Sequence, residues 1–249
     1  MLTAHVIEPD WPAPSNVRAY STQRTGGSSH RPYDSLNLSD YVGDDPRRVR
    51  QNRDLLRHEL RLPAEPVWLQ QKHDRGVIAA DRVPVGSEPL PADAATAHQP
   101  GHVCAVLTAD CLPVVVCDSD GSRVSAIHAG WRGLATGVIP AALAQLGTHG
   151  RNLMAWLGPC IGPAAYEIDK PVRDRLLQAT PAALSAFEET RAGHWRADLA
   201  AIARVQLSEN GVTDIYGGGF CTYTESHRFY SHRREQICGR QATLIWLDD

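Results

Sequence analysis

Three residues carry the chemistry that most needs explaining: His73, Cys111 and His128. Cys111 sits in Thr-Ala-Asp-Cys-Leu-Pro (residues 108–113), and His128 opens His-Ala-Gly-Trp-Arg-Gly (residues 128–133). Residues 113–117 are short, apolar and rich in valine, which predicts a buried strand. Asp118-Ser119-Asp120-Gly121 is turn chemistry, and residues 123–128 predict a returning strand. In such a hairpin Cys111 begins one strand and His128 ends the next, so their side chains meet at one sheet edge. His73 follows a predicted strand over residues 66–71.

Three chemistries suit these residues. Thiolate and imidazole are preferred zinc ligands, and three protein ligands leave a fourth position for water or substrate. Alternatively, Cys111 is a nucleophile and His128 its base, with Asp110 or a backbone carbonyl orienting the ring. Third, Cys111 is a small buried hydrophobe and His73 a hydrogen-bonded structural residue. Spacing alone favours the third reading, because intervals of 38 and 17 residues match no compact zinc module. The six cysteines contain no C-x-x-C pair and are scattered, which predicts reduced thiols.

The remaining chain must position this set. Its 43% hydrophobic and 21% charged content over 249 residues suffices for a sizeable core. A net charge of −3 argues against nucleic acid or an anionic membrane as partner. No signal peptide or membrane-spanning run stands out, so a cytoplasmic protein is expected. The spacing predicts strands at 17–21, 103–107, 154–157, 213–216 and 242–247, and a short strand at 36–38. It predicts helices at 44–60, capped by Asp44 or Asp45, at 138–146, at 171–178 and at 199–209, capped by Asp198. Residues 81–100, with four prolines and little periodicity, read as a long loop. Strands and helices intermix without a linker, which predicts one α/β domain with mixed sheets.

The common catalytic signatures are missing. H-E-x-x-H, the P-loop, G-x-G-x-x-G, G-x-S-x-G and the paired motifs of zinc nucleobase deaminases do not occur. Two segments suit an anion. The 22–28 loop carries Arg24 among small donors, and the Gly130–Gly133 turn carries Arg132 close to a predicted helix start. With 23 arginines and only two lysines, Lys72 and Lys170, any single arginine is a weak signal.

At the motif level the chain resembles the YfiH-like laccase-domain proteins, also labelled polyphenol oxidases or purine nucleoside phosphorylases. The matching blocks are TQRTGGSS (22–29), SLNL (35–38), QNR (51–53), LQQKH (69–73), TADCLPV (108–114) and HAGWRG (128–133). They continue through GPCIGPAAYEI (158–168), GGFCT (218–222), FYSHRRE (229–235) and GRQATLIWL (239–247). This resemblance implies a single-domain mixed-sheet α/β sandwich, layered α/β/β/α, over residues 1–249. It implies a metal, Zn²⁺ or alternatively Cu²⁺, held by His73, Cys111 and His128 in an open pocket, with those residues catalytic. It also implies phosphorolysis of adenosine, inosine, guanosine and methylthioadenosine, plus deamination of adenosine. The substrate-binding set is Arg24, Asn37, Gln71, Asp110, Arg132 and Arg233, and the partners are a purine nucleoside and phosphate, acting on a monomer. Departures from the family pattern are Lys72, Asp74, His232, Glu235 and Cys238. Copper-dependent phenol oxidation, a Cys-His amidase or deamidase and a zinc-stabilised non-enzymatic module are the competing readings. None of the eleven histidines forms the H-x-H of multicopper oxidases.

Overall fold

The fold begins from two β-sheets laid face to face, each covered by helices on its outer side. The computed structural model describes residues 5–84 and 86–249. One sheet is antiparallel, in the order Val6–Ile7, Val17–Thr22, Gln241–Leu247, Cys104–Thr108. The other has six strands in the order Asp214–Gly217, Leu153–Leu157, Leu112–Asp118, Val124–Ala129, Ala94–Ala97, Val77–Ala79. Its two outermost pairings are parallel and the rest antiparallel. It is a mixed sheet, as expected.

Valine, alanine and cysteine fill the space between the sheets: Val106, Val115, Cys117, Ala126 and Ile245 are buried there. The outer face of the six-stranded sheet is covered by helices α2 (Trp131–Thr136), α3 (Val138–Leu146), α4 (Lys170–Ala179) and α5 (Leu199–Glu209). Helix α1 (Pro46–Glu59) places Leu56 on the outer face of the four-stranded sheet, against Ala105, Leu107, Leu244 and Trp246. The layering is therefore α/β/β/α. Asp45 caps α1 by accepting from the Arg47 N–H, and Pro46 takes the first helical position, where its missing N–H costs nothing. Asp169 and Asp198 cap α4 and α5 in the same way.

The central hairpin forms in the expected register, with Pro113 opposite His128 and Leu112 opposite Ala129. Other expectations are corrected. Residues 36–38 form no strand; Leu36 and Leu38 are buried in irregular backbone. The 66–71 strand shrinks to Leu69–Gln70. The proline-rich 81–100 segment is not one long loop: it contains Leu90–Pro91 and the fully buried Ala94–Ala97 strand inside the six-stranded sheet. A strand buried on both faces shows no alternation, and alanine carries little strand signal, so the proline count prevailed in the sequence.

Candidate metal centre

The Leu112–Asp118 and Val124–Ala129 strands end together, and the chain immediately before the first and at the end of the second carries the donors. Cys111 precedes its strand by one residue, and His128 is the penultimate residue of its own. The loop after Leu69–Gln70 brings in His73. One ligand atom from each of His73, Cys111 and His128 lies within 4.8 Å of the others. The two imidazoles meet edge to face, with ring centroids 4.7 Å apart at 85°. His128 is buried, Cys111 half-buried and His73 exposed, so the group opens to solvent on the His73 side.

One residue holds this arrangement, and sequence reasoning missed it. Asp93 is fully buried just before the Ala94–Ala97 strand. Its carboxylate accepts the successive backbone N–H groups of Lys72 (3.0 Å), His73 (2.9 Å) and Asp74 (2.8 Å). It also bonds His128 Nδ1 at 2.8 Å, while the Asp93 carbonyl accepts the His128 N–H at 2.7 Å. The loop closes as an anion nest around the carboxylate, which lets His73 adopt the left-handed φ of +59°. Burial opposes ionisation of Asp93, but the His128 imidazole and the Asp74 and Lys72 N–H groups outweigh it and hold the carboxyl below its usual range. Because Asp93 is ionised, His128 carries its proton on Nδ1 and presents Nε2 to the other donors. The sole hint in the sequence was an aspartate set against an alanine run.

The electrostatics follow. Burial pushes the Cys111 thiol up, but the facing His128 and hydrogen bonds from both imidazoles win and bring it to about 6. Burial alone would depress His128; the Cys111 thiolate and Asp93 raise it to about 9. Without a metal, the pair is a thiolate and an imidazolium near neutrality.

The donor set fits a metal ion. A soft thiolate and two imidazoles converge, and one imidazole is oriented by a carboxylate. Gly130 leaves the space: a Cβ there would stand 2.9 Å from Cys111 Sγ and 3.4 Å from His73 Cδ2. Among the described residues the group has three members, so no fourth donor closes it. Cys221 Sγ instead accepts the Gly162 N–H, and His232 Nδ1 lies 2.7 Å from the Gln236 carbonyl.

The other expected site residues divide sharply. Arg132 lines the cleft beside His73, its guanidinium 4.3 Å from the Trp131 ring centroid. The Gly130–Gly133 segment proves to be the cap and first turn of the six-residue α2. Arg233 lies over Tyr166, 5.1 Å from its ring centroid. The Tyr166 hydroxyl, unmarked in the sequence reading, feels Cys111, Arg233 and Arg132, and burial pushes its titration up. Four residues have internal work instead. Arg24 is paired with Glu235 at 2.7 Å and covers Tyr230, in a separate hollow with Arg31 and His227. Asn37 is fully buried, bonding Ser39, Asp44 and Arg240. Gln71 grips both backbone groups of Leu107. Asp110, at φ +93°, accepts from Thr222 Oγ1 and the Arg233 N–H, so Asp93 and not Asp110 orients the His128 ring.

Fold and site together define an α/β/β/α sandwich with a solvent-open Cys-His-His group fit to hold a metal. A family model described as multi-copper polyphenol oxidoreductase laccase matches residues 18–248, and the chain belongs to that family. The purine nucleoside phosphorylase PA4543 of Pseudomonas aeruginosa is 49% identical over 244 residues, covering 98% of each chain. The purine nucleoside phosphorylase YfiH of Escherichia coli is 44% identical, covering 97% of this chain and 98% of its own. The crystal structure of Neisseria meningitidis NMB0706 superposes with a TM-score of 0.94 at 42% identity, covering 98% of this chain and 100% of that one. That of YlmD from Geobacillus stearothermophilus gives 0.87 at 28% identity, covering 96% and 94%.

Two outcomes test this geometry. Replacing Asp93 by Asn keeps the volume but turns an N–H₂ toward buried donors. Metal affinity should fall about 10- to 100-fold, and metal-free stability by about 1–3 kcal/mol for each donor left unpaired. Competition with a chelator and denaturant melting measure the two separately; wild-type affinity in a folded Asp93→Asn protein would remove Asp93 from the site. Proton counting gives the second. Between the Cys111 value of about 6 and the His128 value of about 9, metal binding must displace one proton, from His128. Apparent affinity should therefore rise about tenfold per pH unit in that window, steepen below it as Cys111 also binds a proton, and level off above it. Calorimetry in buffers of different ionisation enthalpy reads the proton count directly; zero or two protons at pH 7.5 contradicts the thiolate–imidazolium pair.

Proposed function

We propose that the chain is a metal-dependent purine nucleoside phosphorylase, with zinc as the metal and adenosine, inosine, guanosine and methylthioadenosine as substrates. Adenosine deamination is a second activity of the same pocket, and residues 1–249 act as one catalytic domain. The observation that carries this reading is the meeting of His73, Cys111 and His128, with His73 also lining an open cleft that contains Arg132. The names of its relatives supply the substrate class. A metal there supplies Lewis acidity, polarising an oxygen or acidifying a water. The chain's own residues do the rest. Arg132 binds a phosphate oxygen by a charge-assisted hydrogen bond. Phosphorolysis forms the C1′–O bond to hydrogenphosphate as the C1′–N9 bond breaks, and the proton of the hydrogenphosphate passes to the departing base. Arg233, stacked on the neutral Tyr166 phenol whose titration Cys111 influences, orients the nucleoside in this reading. Copper binds such donors more tightly than zinc, so we place phenol oxidation as a side reaction of copper loading.

Protein of known zinc content, incubated with adenosine with and without phosphate, should give adenine and ribose 1-phosphate in the first case and inosine in both. No product in either case rejects the proposal. Arg132→Ala should keep its zinc and lose about 10- to 100-fold in kcat/KM at limiting phosphate, roughly 1.4–3 kcal/mol for one charge-assisted contact. An unchanged phosphate dependence moves the anion elsewhere.

The metal-free thiolate–imidazolium pair favours a second reading, a Cys-His amidase or deamidase. The two respond oppositely to chelation. In the metal reading, chelation abolishes activity and zinc restores it, with no covalent adduct on Cys111. In the hydrolase reading, chelation frees the thiolate, raising both turnover and alkylation of Cys111. Faster turnover by a chelated, folded protein would transfer the mechanism to Cys111 and His128.

A further inference from the structure

His73 has two sides. One faces Cys111 and His128; the other forms part of a cleft of about 730 Å³ with Lys72, Asp74, Arg132, Arg175 and Gln178. Lys72 comes from the loop that Asp93 pins, Arg132 from α2, and Arg175 and Gln178 from α4, which packs against α2. Several arginines elsewhere in this arginine-rich chain are paired with carboxylates, Arg24 with Glu235, Arg123 with Asp118, Arg191 with Glu167 and Arg228 with Glu225, while others stand singly on the surface. The cleft differs in gathering three unpaired cations around one hollow. Among the described residues, Lys72, Arg132 and Arg175 have no carboxylate partner and no side-chain hydrogen bond, and Arg132 touches only the Trp131 ring. The one carboxylate present, Asp74, accepts its neighbouring Arg75 N–H at 2.8 Å.

Scattered surface cations cost nothing and mean nothing. Three from separate elements around one concavity repel one another, and the concavity favours whatever neutralises them. Three cations against one carboxylate match a dianion, and guanidinium forks from two helices match the oxygens of a tetrahedral group. We infer that Lys72, Arg132 and Arg175 form a three-sided clamp for inorganic phosphate, with the Gln178 amide as a neutral fourth donor. The clamp rests on the phosphorylase reading only in sharing Arg132; Lys72 and Arg175 are assigned by the cleft itself. It sets the direction of approach, with phosphate on the α4 side of His73 and the nucleoside on the Cys111 and Tyr166 side.

The test uses zinc-loaded protein and inorganic phosphate. Phosphate binding is measured by calorimetry without nucleoside, and phosphate and nucleoside KM values are measured by product assay. Arg175→Gln and Lys72→Gln, both exposed positions, should each raise the phosphate Kd and KM about 10-fold, with nucleoside KM and zinc content unchanged. Phosphate binding that is absent in wild type, or equal to wild type in both variants, overturns the clamp. Phosphorolysis with unaltered phosphate constants in both variants rejects the clamp and spares the phosphorylase reading. Weakened phosphate binding in variants of a protein that performs no phosphorolysis does the reverse.

Discussion

The site depends on a carboxylate that never touches solvent. Burying Asp93 as an anion would be prohibitive in an apolar interior, and it is tolerated because three backbone N–H groups and one imidazole converge on it. That satisfaction runs both ways. The loop at residues 72–74 keeps its shape because its N–H groups have nowhere else to go, and His128 keeps its tautomer because Nδ1 is occupied. Asp93 is itself tied to the sheets, donating its N–H to Gly76 and accepting the His128 N–H through its carbonyl. The positions of His73 and His128 are thus set by a single side chain at a strand end, and Cys111 is set against them by hairpin register.

This explains which parts of the molecule could be read from its residues. The hairpin was legible because turn chemistry and valine runs are local signals, and α1 and α5 because capping aspartates precede periodic apolar positions. The meeting of Cys111 with His128 followed from register alone. Asp93 was not legible, because its role is made by partners 19–21 and 35 residues away and its surroundings are proline and alanine. For the same reason Arg24, Asn37, Gln71 and Asp110 looked like candidates for ligand contact. A polar residue in a distinctive motif advertises that it is needed without saying by whom. Here Asn37 satisfies a buried loop, Gln71 completes the backbone pairing of Leu107, and Asp110 ties the start of the Cys111 strand to Thr222 and Arg233.

The ambiguity between metal ligand and nucleophile is physical rather than interpretive. An ionised thiol against an imidazolium is what a cysteine hydrolase requires, and it is also what three convergent donors become when a cation is replaced by protons. His73 separates the two. A nucleophile and its base need one imidazole and an orienting acid, which Cys111, His128 and Asp93 already provide. A second imidazole set edge-on at 4.7 Å, on backbone held at positive φ, is not needed for that chemistry and would supply a metal's third bond.

Charge then dictates how the two sides of His73 cooperate. A thiolate with two neutral imidazoles would leave a divalent ion, if bound, with about one net positive charge, since the thiolate cancels one and nitrogen donors cancel none. Under the proposed function, such a centre would attract a phosphate dianion, which would compete for the position a nucleoside needs. Unpaired cations on the far wall of the cleft give the dianion a competing place to rest. Guanidinium groups would hold it there by paired, directional hydrogen bonds. Under the proposed reaction, the placement of Lys72, Arg132 and Arg175 on the far side of His73 from Cys111 would keep the two substrates apart until they react.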